Sequence, residues 1–226
     1  MKNKLYETRP IIFHAQGKPE FCPLWENIKH KCQSIKIAPE NLDIVTFNNG
    51  KSFFNKDNGC FENSIQNQCI VMGKNILNWK NFLKIQLTIK FLENSKKEFI
   101  LSADSSDVVV YSFEKIIDIF LSKKCDLLYN AEINCWPTND FSNLEKYRFL
   151  HPFCHLNAGV WIGKRKKAIE FYKQCESLII ENCFSEQFYI KKNYINFYPS
   201  ILIDDKCEIF QTLNRVNQDY LDIHMD

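Results

Sequence analysis

The 226-residue chain contains no apolar run approaching the ~20 residues that a membrane-spanning helix requires. No apolar stretch follows the N-terminal Met-Lys-Asn-Lys, so no signal peptide is visible, and a soluble, cytoplasmic protein is expected. Neither sign of charge dominates: 29 Lys plus Arg face 27 Asp plus Glu, the two signs are interspersed and the net charge is +2. That balance argues against a nucleic-acid groove. No Pro-, Gly- or Ser-rich linker, low-complexity run or internal repeat divides the chain, and its length suffices for one sizeable core, so a single domain over residues 1–226 is expected. The 10 cysteines are dispersed, with no CxxC pair and no zinc-ribbon spacing. Most sit among apolar residues, as reduced core cysteines do.

What is present is an alternation of strand and helix patterns, which favours an α/β fold with a largely parallel sheet. Strands are read at Ile11–Phe13, Leu42–Phe47, Cys69–Met72, Leu127–Ala131, His155–Gly163, Ile201–Ile203 and Glu208–Phe210. Helical spacing runs through Leu24, Trp25, Ile28, Cys32 and Ile35, through Phe82, Ile85, Ile89 and Leu92, over Glu114–Leu121, and through Ala168, Tyr172, Cys175 and Ile179; another helix starts at Glu186–Tyr189. Residues 51–66 and the segment Asn134–Arg148 read as loops.

The most informative run is EFILSADSSDVVVYS, residues 98–112, where an apolar strand opens onto Asp104 and Asp107 and then turns apolar again. Phe99–Leu101 and Val108–Val110 both read as interior strand of a parallel sheet. Two carboxylates beside a packed sheet repel each other and are costly unless paired or coordinated. A hard divalent cation would relieve that cost, and ligands in open α/β sheets bind at the carboxyl ends of strands. The plainer reading is a polar turn, where Asp is common.

Five segments in order give the pattern an identity. SADSSDVVVYS, YNAEINCWP (129–137), LNAGVWIG (156–163), SEQFY (185–189) and DDKCEIFQTLN (204–214) together resemble the glycosyltransferase domains of the lysyl hydroxylase and procollagen glycosyltransferase type, over about residues 42–214. The resemblance implies a GT-A-like, Rossmann-type α/β fold with a mixed, mainly parallel sheet flanked by helices. It also implies that Asp104 and Asp107 hold Mn²⁺, or Mg²⁺, carrying the diphosphate of a UDP-sugar, and that a hexose, glucose or galactose, passes to an acceptor hydroxyl. Lys84 corresponds to a basic residue that faces the aspartate site in that family. The chemistry fits the residue types: a departing pyrophosphate needs its charge neutralised, oxygen ligands suit Mg²⁺ or Mn²⁺, and an imidazole tilts the choice to Mn²⁺.

Four departures from the family pattern stand out. Ser106 occupies the place of an aromatic residue that lies against the nucleotide; Glu186 is the only acid left in the run before Gln187; Ala158 replaces a serine; and no His-x-x-Gly segment, the family's source of a histidine ligand, follows Asn214. A His-x-x-Gly does occur near the start, in RPIIFHAQGKPEF. His14 is therefore expected to complete the metal site, with Gly17 admitting backbone to the diphosphate and Lys18 adding charge. Residues 1–36 would then be a permuted segment; the alternative is an appended one, with His14 at a strand end.

Glu186 and Glu132 are the candidates for a base acting on the acceptor hydroxyl. Asn157, an amide beside Gly159, is a candidate for binding sugar hydroxyls. Trp136 would close over the donor sugar or anchor packing; Thr46 would line the nucleoside pocket or simply suit its strand. His151 and His155 read as structural, because Pro152 spoils a shared helix face. Asp204 and Asp205 form a second acidic cluster or a turn. Partners expected are a UDP-sugar and a hydroxyl-bearing acceptor, whether glycan, lipid-linked sugar or protein, with no nucleic acid and no membrane span. The rival function is a catalytically impaired relative that binds a glycan or protein through the same cleft. A metal-dependent hydrolase is disfavoured, since a two-metal site needs more ligands than are available.

Overall fold

The computed structural model describes residues 1–50, 59–179 and 185–223. In chain order its elements are β1 (Lys2–Asn3), β2 (Ile12–His14), α1 (Trp25–Lys31), β3 (Leu42–Phe47), α2 (Cys60–Ser64), β4 (Ile70–Met72), α3 (Leu83–Asn94), β5 (Phe99–Asp104) and β6 (Val108–Val110). There follow α4 (Ile116–Ser122), β7 (Leu127–Glu132), α5 (Ser142–Arg148), β8 (His155–Lys164), α6 (Arg165–Ser177), α7 (Glu186–Tyr194), β9 (Ile201–Ile203), β10 (Phe210–Thr212) and β11 (Leu221–Asp222).

The central sheet has the order β4-β3-β5-β8-β7-β9. Its pairs are parallel except where β8 runs antiparallel between β5 and β7. The fold is thus α/β with a mixed, mainly parallel sheet. Strands such as β3 read as near-continuous apolar runs because helices cover both faces of the sheet. Alternation still sorts their side chains: Val45, Phe47, Ile100 and Tyr129 enter one core with α3, α6 and α7, while Leu42, Ile44, Leu101 and Leu128 enter the opposite core with Phe61, Ile116 and Phe120.

A second sheet, of order β10-β2-β6, turns Ile12, Val108 and Val110 towards that opposite core and Phe13 and Val109 towards Trp25 and Ile28 of α1. This corrects the reading of Val108–Val110 as part of the parallel sheet. After Asp104 the chain turns through residues 105–107 and enters the second sheet, where β6 pairs antiparallel with β2. The two aspartates therefore stand at the seam of two sheets. Two segments read as loop contain helices: α5 lies within 134–148 and α2 within 51–66, of which residues 51–58 fall outside the described residues. The last strand of the small sheet also starts later than expected, at Phe210. Asp204 is the reason, since its buried carboxylate accepts the backbone N–H groups of Glu208, Ile209 and Phe210, at 3.1, 2.7 and 2.9 Å. That bonding makes Asp204 a loop-closing residue. Among the described residues the cysteines are free thiols, and no helix is long and apolar enough to cross a membrane.

Candidate active site

Three chain segments meet at the seam. β5 ends in Asp104, the following turn carries Asp107, and β2 delivers His14 in register with Val108 on one side and Thr212 on the other. The backbone N–H of Ala15 donates to the Asp107 carbonyl at 2.8 Å, so the register is held right at the site. One ligand atom each from His14, Asp104 and Asp107 lies within 4.8 Å of the other two. His14 Nε2 is 3.5 Å from Asp107 Oδ2, which also accepts the Gly17 N–H at 3.3 Å. Gly17 has φ +86, a left-handed conformation that costs an L-residue about 1–2 kcal/mol, so the backbone here needs glycine to approach the carboxylate.

Several observations test whether these residues fit a divalent cation. Asp107 Oδ1 is buried with no hydrogen-bond partner, an expensive state unless something else satisfies it. Gly159 leaves the space beside the three ligands open: a Cβ there would lie 2.3 Å from His14 Cε1, 2.9 Å from His14 Nε2 and 3.0 Å from Asp104 Oδ2. Two carboxylates and an imidazole form a donor set suited to Mn²⁺ or Mg²⁺. Burial and the neighbouring Asp107 and Glu186 carboxylates push the Asp104 carboxyl above its ordinary value, against the pull of Lys84. Burial works to lower the His14 imidazole, but the carboxylates of Asp107, Asp104 and Glu132 together outweigh it and hold the ring above its usual value. Both shifts record negative charge crowded into a buried place. The residues fit a hard divalent cation.

The pairing of β8 breaks at Ala158-Gly159. β7 and β8 match Tyr129 with Trp161 but Asn130 with Asn157, so residues 158–160 of β8 have no β7 partners. Such bulges re-aim side chains next to functional sites. Here the bulge brings Gly159 against His14 while Asn157 turns to Glu132, donating from Nδ2 to Glu132 Oε1 at 3.1 Å.

Lys84, on the first turn of α3, reaches Asp104 Oδ1 at 2.6 Å and Glu186 Oε1 at 2.9 Å. Burial works to lower its ammonium, yet the two carboxylates raise it well above its ordinary value. Glu186 begins α7, and its second oxygen, Oε2, is buried and unpartnered. Glu132 ends β7; burial pushes its carboxyl upward although the amides of Gln187 and Asn157 donate to it.

These groups line one cavity of about 1000 Å³, whose walls include His14, Gly17, Lys18, Lys84, Asp104, Asp107, Glu132, Trp136, Asn157 and Glu186. Trp136 is half exposed at its edge, and the Lys18 ammonium sits 5.2 Å from the centre of the Phe21 ring, also on the wall. Two expected residues are not brought to this cavity. Thr46 is fully buried and its hydroxyl donates to the Ala103 carbonyl at 2.8 Å, so it is a strand residue tying β3 to β5. Ser106 is half-buried in the turn and is not part of the cavity wall.

Three contributors escaped the sequence reading. Gln187 ties the site together: its amide donates to Glu132 Oε1, the Trp136 carbonyl and the Leu156 carbonyl at 3.0, 2.9 and 3.0 Å, and its Oε1 accepts the Ala158 N–H at 2.8 Å. Glu62 of α2 grips the aspartate turn through the Ser105 hydroxyl at 2.8 Å and the Asn48 amide at 3.0 Å. Asn130 donates from Nδ2 to His14 Nδ1 at 3.1 Å. Gln187 carried one available signal, its place beside Glu186; buried Asn130 and Glu62 carried none.

A second group of metal-type side chains, Cys135, Glu145 and His155, lies elsewhere. The Glu145 carboxylate there is already satisfied by His155 Nδ1 at 2.7 Å, the Leu156 N–H at 3.0 Å, Lys191 Nζ at 3.1 Å and the Tyr194 hydroxyl at 3.0 Å. A buried ammonium occupies the place a cation would take, so His155 is structural, as the sequence led us to expect. His151 is partly exposed and 3.6 Å from Asp205.

Comparison with known proteins places the arrangement. Residues 79–225 match the protein-family model described as PLOD GT domain. A stretch of 141 residues, 60% of this chain, is 28% identical to "Uncharacterized protein R699" of Acanthamoeba polyphaga mimivirus. The match covers 30% of that protein's length, so the chain spans under a third of this relative.

Proposed function

From a chain that belongs to the PLOD glycosyltransferase-domain family, and so is a glycosyltransferase, we infer metal-dependent transfer of a hexose from a UDP-sugar to an acceptor hydroxyl. The observation that carries the finer reading is the convergence of His14, Asp104 and Asp107 within 4.8 Å at the wall of the large cavity, with one Asp107 oxygen buried and unpaired. Those three residues would hold a divalent ion, which when bound would supply Lewis-acid neutralisation of the departing diphosphate.

The chain's own residues supply the rest. The acceptor oxygen forms a bond to the anomeric carbon of the donor sugar as the bond from that carbon to the diphosphate oxygen breaks, and the hydroxyl proton goes to a carboxylate. Glu186 is suited to take it, because Oε2 has no partner among the described residues while Oε1 is held by Lys84. Glu132 is the alternative acceptor of that proton; burial raises its carboxyl towards the operating pH, which favours proton exchange. Asn157 and Trp136 line the same cavity, which supports a role for them in binding and covering the sugar, and Gln187 holds both Glu132 and the Trp136 backbone in place.

One observation favours the rival binding-module reading: Lys84 already bridges Asp104 and Glu186, offsetting part of their charge without a metal. Release of UDP from a panel of UDP-sugars, with and without Mn²⁺, decides between them. The wild type is expected to release UDP only with metal, and Asp107→Ala to lose that release. No turnover and no metal-dependent nucleotide binding under any condition would overturn the metal-dependent transferase reading and favour the non-catalytic one.

A further inference from the structure

The side-chain amide of buried Asn130 bonds His14, and its own bonding is lopsided. Nδ2 donates to His14 Nδ1 at 3.1 Å, while Oδ1 is buried with no partner among the described residues. In that arrangement Nδ1 accepts, so the proton of a neutral ring sits on Nε2, pointing at Asp107 Oδ2 3.5 Å away. The same Nε2 faces the space that Gly159 leaves open and Asp104 borders. A protonated Nε2 has no lone pair to give a cation. To offer one, the ring must carry its proton on Nδ1, and that N–H needs a buried acceptor.

We propose that Asn130 is the positioning residue of the metal site: a half-turn of its amide presents Oδ1 to His14 Nδ1–H, fixing the tautomer whose Nε2 lone pair faces Asp104 and Asp107. The inference rests on the metal-dependent reading of that site. It assigns a role to a residue that lies on β7, at the bulge opposite Asn157, and bonds to no other ligand of the triad. The bulge explains the placement. By pairing Asn130 with Asn157, it seats the amide under the imidazole at the point where β8 skips three residues.

The test uses the full chain and Mn²⁺ alone, titrated by electron paramagnetic resonance, for wild type, Asn130→Ala and Asn130→Asp. Asn130→Ala removes the acceptor and is expected to weaken Mn²⁺ binding about 10–100-fold. Asn130→Asp can only accept at Nδ1, and is expected to bind within about threefold of wild type or more tightly. A role limited to donation from Nδ2 predicts the opposite for Asp, which would fail along with Ala; a role limited to packing, which the isosteric Asp would keep, is told apart by the position of the ring proton. Nitrogen-15 spectra of histidine-labelled protein saturated with Mg²⁺ give a readout independent of any variant's folding: a proton on His14 Nδ1 supports the proposal, and one on Nε2 overturns it. Mn²⁺ affinity unchanged in Asn130→Ala also overturns it while leaving the metal-dependent function standing. If the wild type binds no Mn²⁺, both fall together.

Discussion

Gly159→Ala is the sharpest probe of the site, because the added methyl lands against His14 and beside Asp104, two of the three proposed ligands. Its φ is not in the left-handed region, so backbone strain does not enter and the cost is all contact. The new Cβ would lie 2.3 Å from His14 Cε1, well over 1 Å inside ordinary carbon–carbon contact at about 3.5–4.0 Å. His14 is 2% exposed and cannot relax outward, so the ring must leave its position beside Asp107. Overpacking of this kind costs about 1–3 kcal/mol, which for a chain of this size lowers Tm by roughly 2–12 °C. Losing one of three ligands should weaken Mn²⁺ at least about 100-fold, more than the loss of a group that merely supports a ligand. His14→Ala separates the two effects. In that background the methyl meets no ring, so the stability cost of Gly159→Ala should shrink by at least about 1 kcal/mol while Mn²⁺ binding stays weak, a coupling measurable as a double-mutant cycle by calorimetric melting. Equal cost in both backgrounds, together with Mn²⁺ binding by Gly159→Ala like that of the wild type, would show that His14 does not stand at the cation site.

Lys84→Met should cost about 2–4 kcal/mol in urea unfolding, since it strands the Asp104 and Glu186 carboxylates that Lys84 bridges at 2.6 and 2.9 Å; saturating Mn²⁺ should restore part of that loss by binding the folded state, and a variant as stable as wild type without metal refutes the bridging role. Burial works to raise the Glu145 carboxyl, but His155, Lys191 and the Leu156 N–H hold it below its ordinary value of 4.5. A depressed folded-state value means stability that is present above pH 4.5 and lost as pH falls through that lower value. Glu145→Gln should therefore flatten the acid limb of the stability profile, and an unchanged limb in denaturant titrations across that range would remove Glu145 from its cause.

Where burial covers both faces of a strand, the sequence was easy to read. Leu42–Phe47 and Ile201–Ile203 have the bounds expected of them, because unbroken apolar runs between turn residues leave few other readings. Where polar groups do the holding, periodicity had nothing to report. In α5 the one buried residue is a glutamate, Glu145, so the helix has no apolar stripe to betray it; what seats it is a set of hydrogen bonds from β8 and α7, distant in sequence. The small α2 is similar, since two of its three buried residues are Glu62 and Ser64. The change of sheet after the turn at residues 105–107 was invisible for a different reason: valines after it look equally interior in either sheet, and strand pairing is not written in a local pattern.

The same contrast governs the site. Asp104, Asp107, Glu186 and Glu132 were legible because carboxylates at strand and helix ends are costly without a purpose. His14 was legible only by its motif, out of the order the family resemblance implies, and topology shows why that order is dispensable. β2 pairs parallel with β10 and antiparallel with β6, so the seat beside Asp107 requires a strand lying between those two and not a particular direction of approach along the chain. The pairing of β1 with β11, Lys2 opposite Asp222, brings residues from the two ends of the sequence side by side. The strand that carries His14 reaches its seat from near the start of the given sequence, outside the central sheet. Gly17, whose N–H meets Asp107 Oδ2 just beyond that strand, travels with His14 for the same reason: the two act on one carboxylate, and a single short segment carries both.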